Sequence, residues 1–253
     1  MAEGAAAGRF VESLFLSAAK IITFDRNKPL TNASGFFFER DGRLFLVSSR
    51  HVMYDGPSKH FPDRIQLEIH VDPENVTRST GFSVPLYRDR KSLWRQGRDK
   101  AGEIDVAVIE LDREALPDDT VYSAFGPQHL LGASDIVEVG ASVLVVGFPL
   151  GFHDTLHHLP VIRQAGIASS FGLRFQGEGY FLTDARTHRG GSGAPVVMRA
   201  GPAPDPALGK LPWRLLGVHS ARLDMGTRDL KLDEALGLNC AWYADILLTL
   251  TDE

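Results

Sequence analysis

Cysteine is almost absent from this sequence. Cys240 is the only one in 253 residues, so no disulfide can form within the chain, and the secreted, disulfide-stapled class is excluded. Cys240 sits in the apolar run 238–242 with no histidine beside it, which reads as a buried structural thiol rather than a nucleophile. Long apolar runs are also missing, and none approaches the ~18 residues of a membrane-spanning helix. The first twenty residues break their apolar stretch with Glu3, Arg9 and Glu12, unlike a secretory leader. Nor is there an excess of positive charge. With 27 Lys and Arg against 32 Asp and Glu the formal net charge is −5, which offers no electrostatic case for a nucleic-acid or membrane partner. These absences leave a cytoplasmic globular protein as the expectation.

What is present is mostly β. Phe10, Leu14, Ala18 and Ile21 fall at helical spacing and allow a short opening helix, although 19–24 could equally begin a strand. Segments 35–39 and 44–48 flank Asp41-Gly42 and read as a hairpin. Short strand candidates follow at 65–71, 82–87, 106–111, 141–147, 166–170, 179–183, 194–198 and 215–220, separated by turn residues. That pattern indicates barrels or a sandwich. The charged stretch 88–103 and the proline-rich stretch 199–212 read as loops. A boundary within 128–140 divides the chain into halves of similar size.

Chemistry concentrates at three places. In Gly190-Gly191-Ser192-Gly193 a serine is flanked by glycines, so it can occupy a tight turn with its hydroxyl exposed. The neighbouring N–H groups can then face an oxyanion. A flexible turn would look the same. A serine nucleophile needs a base, and His51 lies just past the apolar run 44–47, where a loop would present it. Asp105 opens the apolar strand 105–109, and a carboxylate there can hold the histidine tautomer. Each has a bland reading, as a turn histidine or an edge aspartate. The order His, Asp, Ser is that of chymotrypsin-fold proteases, whereas subtilisins and α/β-hydrolases use others.

The flanking segments carry a resemblance. Thr183-Asp184-Ala185 with Gly190-Gly191-Ser192-Gly193-Ala194-Pro195 resembles the Thr-Asp-Ala…Gly-Asn-Ser-Gly-Gly-Pro segment of trypsin-like serine peptidases, nearest to the bacterial HtrA/Deg protease domain. Ser49-Arg50-His51-Val52, Asp105-Val106-Ala107-Val108, Val145-Val146-Gly147-Phe148-Pro149-Leu150-Gly151 and Gln164-Ala165-Gly166-Ile167-Ala168-Ser169 match further segments in order, over about residues 19–250. The resemblance implies an all-β, chymotrypsin-like fold of two packed six-stranded antiparallel barrels with few short helices. Residues 10–135 would carry His51 and Asp105, residues 136–253 would carry Ser192, and the active site would lie in the cleft between them. It implies a bacterial serine endopeptidase acting on protein or peptide substrates through an acyl-enzyme, with the N–H groups of Gly190 and Ser192 as oxyanion hole. Segment 217–221 would be the strand beside the substrate, placing His219, Ser220, Ala221 and Arg222 near it, with Ser220 donating to Asp105.

Departures from that pattern matter. Gly191 stands where secreted trypsins carry the Asp of their zymogen switch, and where the HtrA pattern has Asn. Two adjacent glycines would allow the oxyanion hole to stay unformed until a substrate or regulatory protein partner binds. The chain ends soon after the second barrel, without room for the appended PDZ module. The alternative reading is therefore a silent or partner-gated scaffold on the same fold. Arg186, six residues before Ser192, would reach the floor of the specificity pocket and favour an acidic group, or turn outward to solvent or pair with Asp184. His188 would line the cleft. His153 and His157, four apart with Asp154 between them, would pair on a metal only if helical. A solvent loop is expected there, and neither metal nor cofactor.

Overall fold

The computed structural model describes residues 11–132, 135–201, 205–220 and 237–252. The strands in chain order are β1 (Ala18–Asp25), β2 (Lys28–Arg40), β3 (Arg43–Ser48), β4 (Arg64–His70), β5 (Ser79–Pro85), β6 (Tyr87–Arg88), β7 (Lys91–Ser92), β8 (Trp94–Arg98), β9 (Glu103–Leu111), β10 (Ser142–Gly147), β11 (Val161–Gly166), β12 (Tyr180–Thr183), β13 (Pro195–Arg199), β14 (Trp213–Ser220) and β15 (Asn239–Tyr243). Helix is scarce among the described residues: α1 (Arg50–Met53), α2 (Ile246–Leu250) and a few 3-10 turns. The 3-10 turn Phe15–Ser17 takes the place of the opening helix.

Two antiparallel sheets contain nearly all the strands. The first runs β5-β4-β1-β2-β3-β9-β8 and the second β11-β10-β13-β14-β15-β12. The second closes on itself through the bridge Ile167↔Thr183. The first has seven strands where six were expected. The extra one is β8, inside the stretch read as a charged loop. It is an edge strand, and its arginines Arg95 and Arg98 face solvent, the charged edge by which sheets avoid further pairing.

Strand periodicity explains the apolar runs. In β2, residues 33–38 are all buried. Ala33 and Phe37 point into the core enclosed by the first sheet, with Leu46, Ile65 and Ile109. Phe36 and Phe38 point the other way, into a core shared by both sheets that includes Val108, Val197, Leu215 and Trp242. The second sheet encloses its own core around Val145, Phe181, Val196 and Leu216. A strand buried on both faces must be apolar at consecutive positions, which is why β2, β9 and β14 read as unbroken runs rather than alternations.

Candidate active site

His51 is delivered by the turn that ends β3. The chain leaves the strand at Ser48 and makes the single helical turn α1, which buries Val52 and Met53. That burial fixes the backbone at His51, whose N–H donates to Asp105 Oδ1 at 2.9 Å while Nδ1 lies 2.7 Å from Oδ2. A carboxylate at Nδ1 keeps the proton there and leaves the lone pair on Nε2. Asp105 is buried, at the start of β9. Ser220 Oγ, from β14 in the other sheet, also donates to its Oδ2, at 2.7 Å. Burial opposes the charge on Asp105, but the His51 ring and these three hydrogen bonds outweigh it and hold the carboxyl below its ordinary range.

Ser192 sits on a turn that only glycine allows. Gly190 and Gly193 adopt φ of +90° and +87°. A Cβ on Gly193 would lie 2.2 Å from Ser34 O, and one on Gly190 would lie 2.7 Å from Phe148 O. The peptide planes here are pinned rather than slack. Arg189 O accepts from Leu150 N at 2.5 Å, Gly190 O from Ser34 Oγ at 2.8 Å, Gly191 O from Ala194 N at 3.0 Å and Ser192 O from Ser34 N at 3.0 Å. The N–H groups of Gly191 and Gly193 donate to His188 O and His219 O. Those of Gly190 and Ser192 have no acceptor among the described residues. With the peptides of the described residues trans, each N–H points away from its pinned carbonyl, so these two donors have fixed directions. His51, Gly190 and Ser192 line one open cleft of about 920 Å³. Ser192 Oγ makes no hydrogen bond among the described residues.

A search of known proteins gives this arrangement its family. The profile of the trypsin-like peptidase domain matches residues 33–202. The chain belongs to the trypsin-like peptidase family. Among solved structures it resembles the serine endoprotease from Yersinia pestis, with a TM-score of 0.54 and 16% identity, over 94% of this chain and 62% of that one. The chain thus spans less than two thirds of that neighbour. No curated sequence matches it.

The other anticipated residues of this trypsin-like domain are distributed unevenly. Arg186 and His188 are exposed and line the cleft. Arg186 does not pair with Asp184, which instead accepts from Gly166 N. His219 and Ser220 are fully buried beneath the cleft, in β14 between β13 and β15. Ala221 and Arg222 lie outside the described residues. His219 is unusual, because neither ring nitrogen has a hydrogen-bond partner among the described residues. Burial, with a smaller effect of neighbouring His51, pushes its pKa down to about 4. Ser34 was not anticipated. It bonds through Oγ to Gly190 O and Phe148 N, and through its N–H to Ser192 O. A serine inside a strand gives no sequence signal of such a role. Lys28, Lys59 and Arg189 also line the cleft, where Asp55, itself buried and bonded to Ser58, is the only acid among the described residues.

Proposed function

We propose that this domain is a serine endopeptidase working through an acyl-enzyme. Ser192 Oγ attacks the scissile carbonyl carbon as His51 Nε2 takes its proton. Asp105 remains a carboxylate and stabilises the imidazolium. The oxyanion is received by the N–H groups of Gly190 and Ser192, already oriented before substrate arrives. Collapse of the tetrahedral intermediate breaks the C–N bond, and His51 returns the proton to the departing amine. Water then attacks the ester at Ser192 with His51 again as base, releasing the acid and restoring the hydroxyl. The observation that carries this reading is that one cleft is lined by a carboxylate-held histidine and by a serine whose N–H, like that of Gly190, has no acceptor among the described residues.

The cleft also supports a substrate class. Among the described residues Lys28, Lys59, Arg186 and Arg189 line it with one acid, Asp55, on a chain of net charge −5. A positive cleft concentrates anionic ligands, so acidic peptide segments are the substrates it favours. A cytoplasmic location accompanies this reading, supported by the single buried thiol, and a peptidase free in that compartment calls for a narrow substrate range or a regulatory partner.

A fluorophosphonate probe tests the chemistry. Labelling of the wild-type protein that disappears in Ser192→Ala is expected, with peptide hydrolysis falling by about 10⁴–10⁶-fold. Folded protein that stays unlabelled under every condition would instead establish the scaffold reading. Cleavage of a peptide library tests the substrate class, and a preference for basic residues around the scissile bond would refute it.

A further inference from the structure

A second group of titratable side chains lies on the outer face of the first sheet. Glu68 projects from β4, half-buried because the segment after β10 lies against it. That segment is a built turn. Phe148 anchors it in the interior, Asp154 N donates to Leu159 O, and Asp154 Oδ1 accepts from the N–H groups of Leu156 and His157. His153 and His158 flank the bridged positions Asp154 and Leu159, and both turn towards Glu68. His158 Nδ1 lies 2.7 Å from Oε1 and His153 Nε2 lies 3.8 Å from Oε2. All three ligand atoms fall within 4.8 Å of one another. His158 reaches this position from a left-handed backbone, φ +56°, a conformation unfavourable for a non-glycine residue.

Two details point to a metal rather than to ion pairing alone. The His153 Nδ1–H donates to Gly151 O at 2.7 Å, which leaves the Nε2 lone pair directed at Glu68. A backbone carbonyl on the distal nitrogen is the usual way to orient a metal-binding imidazole. His158 Nδ1, although close to Glu68, is buried and makes no hydrogen bond among the described residues. Two imidazole nitrogens and one carboxylate are a zinc donor set, with bonds of about 2.0–2.2 Å. Tetrahedral bonds of that length set ligand atoms about 3.3–3.6 Å apart, and the observed separations of 2.7 and 3.8 Å lie on either side of that range. Lys20 Nζ, 3.4 Å from Glu68 Oε2, is the cation that zinc would displace.

We propose that Glu68, His153 and His158 bind one zinc(II) ion, clamping the 148–159 segment to β4. The fourth position stays open to water. The clamp has a consequence for the first site. Leu150 N holds Arg189 O and thereby aims the N–H of Gly190, and Gly151 O is the acceptor that orients His153. Zinc on one side of this segment would steady the oxyanion donors on the other. This second step rests on the peptidase reading, while metal binding does not.

Calorimetric titration of the whole domain with zinc chloride tests the site. One zinc per chain is expected, with a higher Tm that magnesium does not reproduce. Glu68→Gln and His153→Ala should each weaken binding by more than about 100-fold, beyond the loss typical of an outer-sphere change. His157→Ala should bind as the wild type does, because that ring pairs with Asp154 at 2.7 Å. No stoichiometric zinc on folded wild-type protein, or equal binding by Glu68→Gln, would overturn the site. Fluorophosphonate labelling tests the link, and should quicken with zinc in the wild type but not in His153→Ala. Zinc binding with an unchanged labelling rate would overturn the link. Zinc binding to a protein that never labels would overturn the peptidase reading and leave the metal site standing.

Discussion

His51 meets Asp105 and His158 meets Glu68 at the same distance, 2.7 Å from ring Nδ1 to a carboxylate oxygen. Their surroundings separate them. Asp105 is buried and accepts three hydrogen bonds, and among the described residues no lysine or arginine pairs with it. The histidine lines the same cleft as Ser192. Glu68 is half-buried, with Lys20 beside it and a second imidazole on its far side. Its neighbours supply a second ligand instead of a nucleophile. A histidine–carboxylate pair therefore specifies no chemistry by itself. What the remaining lone pairs face decides between proton transfer and coordination.

The largest expected effect tests the first half of that contrast. Asp105→Asn keeps the shape but replaces an acceptor with a group that can present N–H to His51, favouring the wrong tautomer. Peptide hydrolysis should fall by about 10⁴-fold. A loss of under about tenfold would show that the carboxylate does not set the tautomer. The same residue has a pH signature. Its folded pKa lies below the ordinary carboxylate value, so its stabilising contribution is complete above that value. It is lost as pH falls towards the folded pKa, because the unfolded chain takes up the proton first. Thermal unfolding from pH 6 to 3 should show a steeper acid decline in the wild type than in Asp105→Asn.

Gly190→Ala comes next. It leaves both pairs untouched and attacks the backbone that joins them. Its Cβ would meet Phe148 O and Leu150 N at 2.7 and 2.8 Å, at a φ of +90°. Either the Leu150–Arg189 bond or the Gly190 N–H must move. Loss of one oxyanion donor corresponds to about 10²–10³-fold in kcat, with KM changing less. Unchanged kcat would mean that this N–H does not receive the oxyanion.

How much of this was legible beforehand differs between the two pairs. Ser192, His51 and Asp105 are far apart in sequence, yet each is flanked by residues the backbone demands there: glycines that permit positive φ, and strands buried on both faces. Glu68 and the histidines give no such sign. Glu68 sits at an alternating polar position of β4, and 85 residues separate it from His153. Reading 153–158 locally offers His157 and Asp154 as ligands, but in the fold that pair closes on itself. The β8 strand was missed for a related reason, since a charged edge strand and a charged loop have the same composition. Ser34 was unreadable because its role depends entirely on the loops packed against it.

A histidine with no carboxylate partner among the described residues extends the comparison. His219 is buried, neither ring nitrogen pairs with a described residue, and its pKa is about 4, against 6.5 ordinarily. Above pH 6.5 both folded and unfolded forms are neutral, so it contributes no pH dependence. Between about 6.5 and 4 the unfolded chain holds a proton that the folded one lacks. Stability should then fall by up to about 1.4 kcal/mol per pH unit, about 3 kcal/mol in all. Urea unfolding of wild type and His219→Leu across that range should show the difference growing as pH drops. The variant should lie within about 1.5 kcal/mol of wild type at pH 7. Parallel curves would mean that His219 is protonated in the fold.

The smallest effect isolates the feature that most separates Glu68 from Asp105, its standing cation. Lys20 faces Glu68 across the β1–β4 ladder, with its side chain only 16% exposed, so water screens the pair incompletely. A divalent ion arriving at Glu68 must displace that ammonium or endure its repulsion. Lys20→Met keeps the apolar stem and removes the charge. At a few ångströms and an intermediate dielectric the relief is on the order of 1 kcal/mol, so zinc affinity should rise by about 3–10-fold. A plain ion-pair network predicts the reverse: without its cation the half-buried Glu68 loses a partner, the variant is less stable, and zinc restores nothing. Titrating both proteins with zinc while recording Tm separates the two cases, because only a metal site makes the variant gain more from zinc than the wild type does.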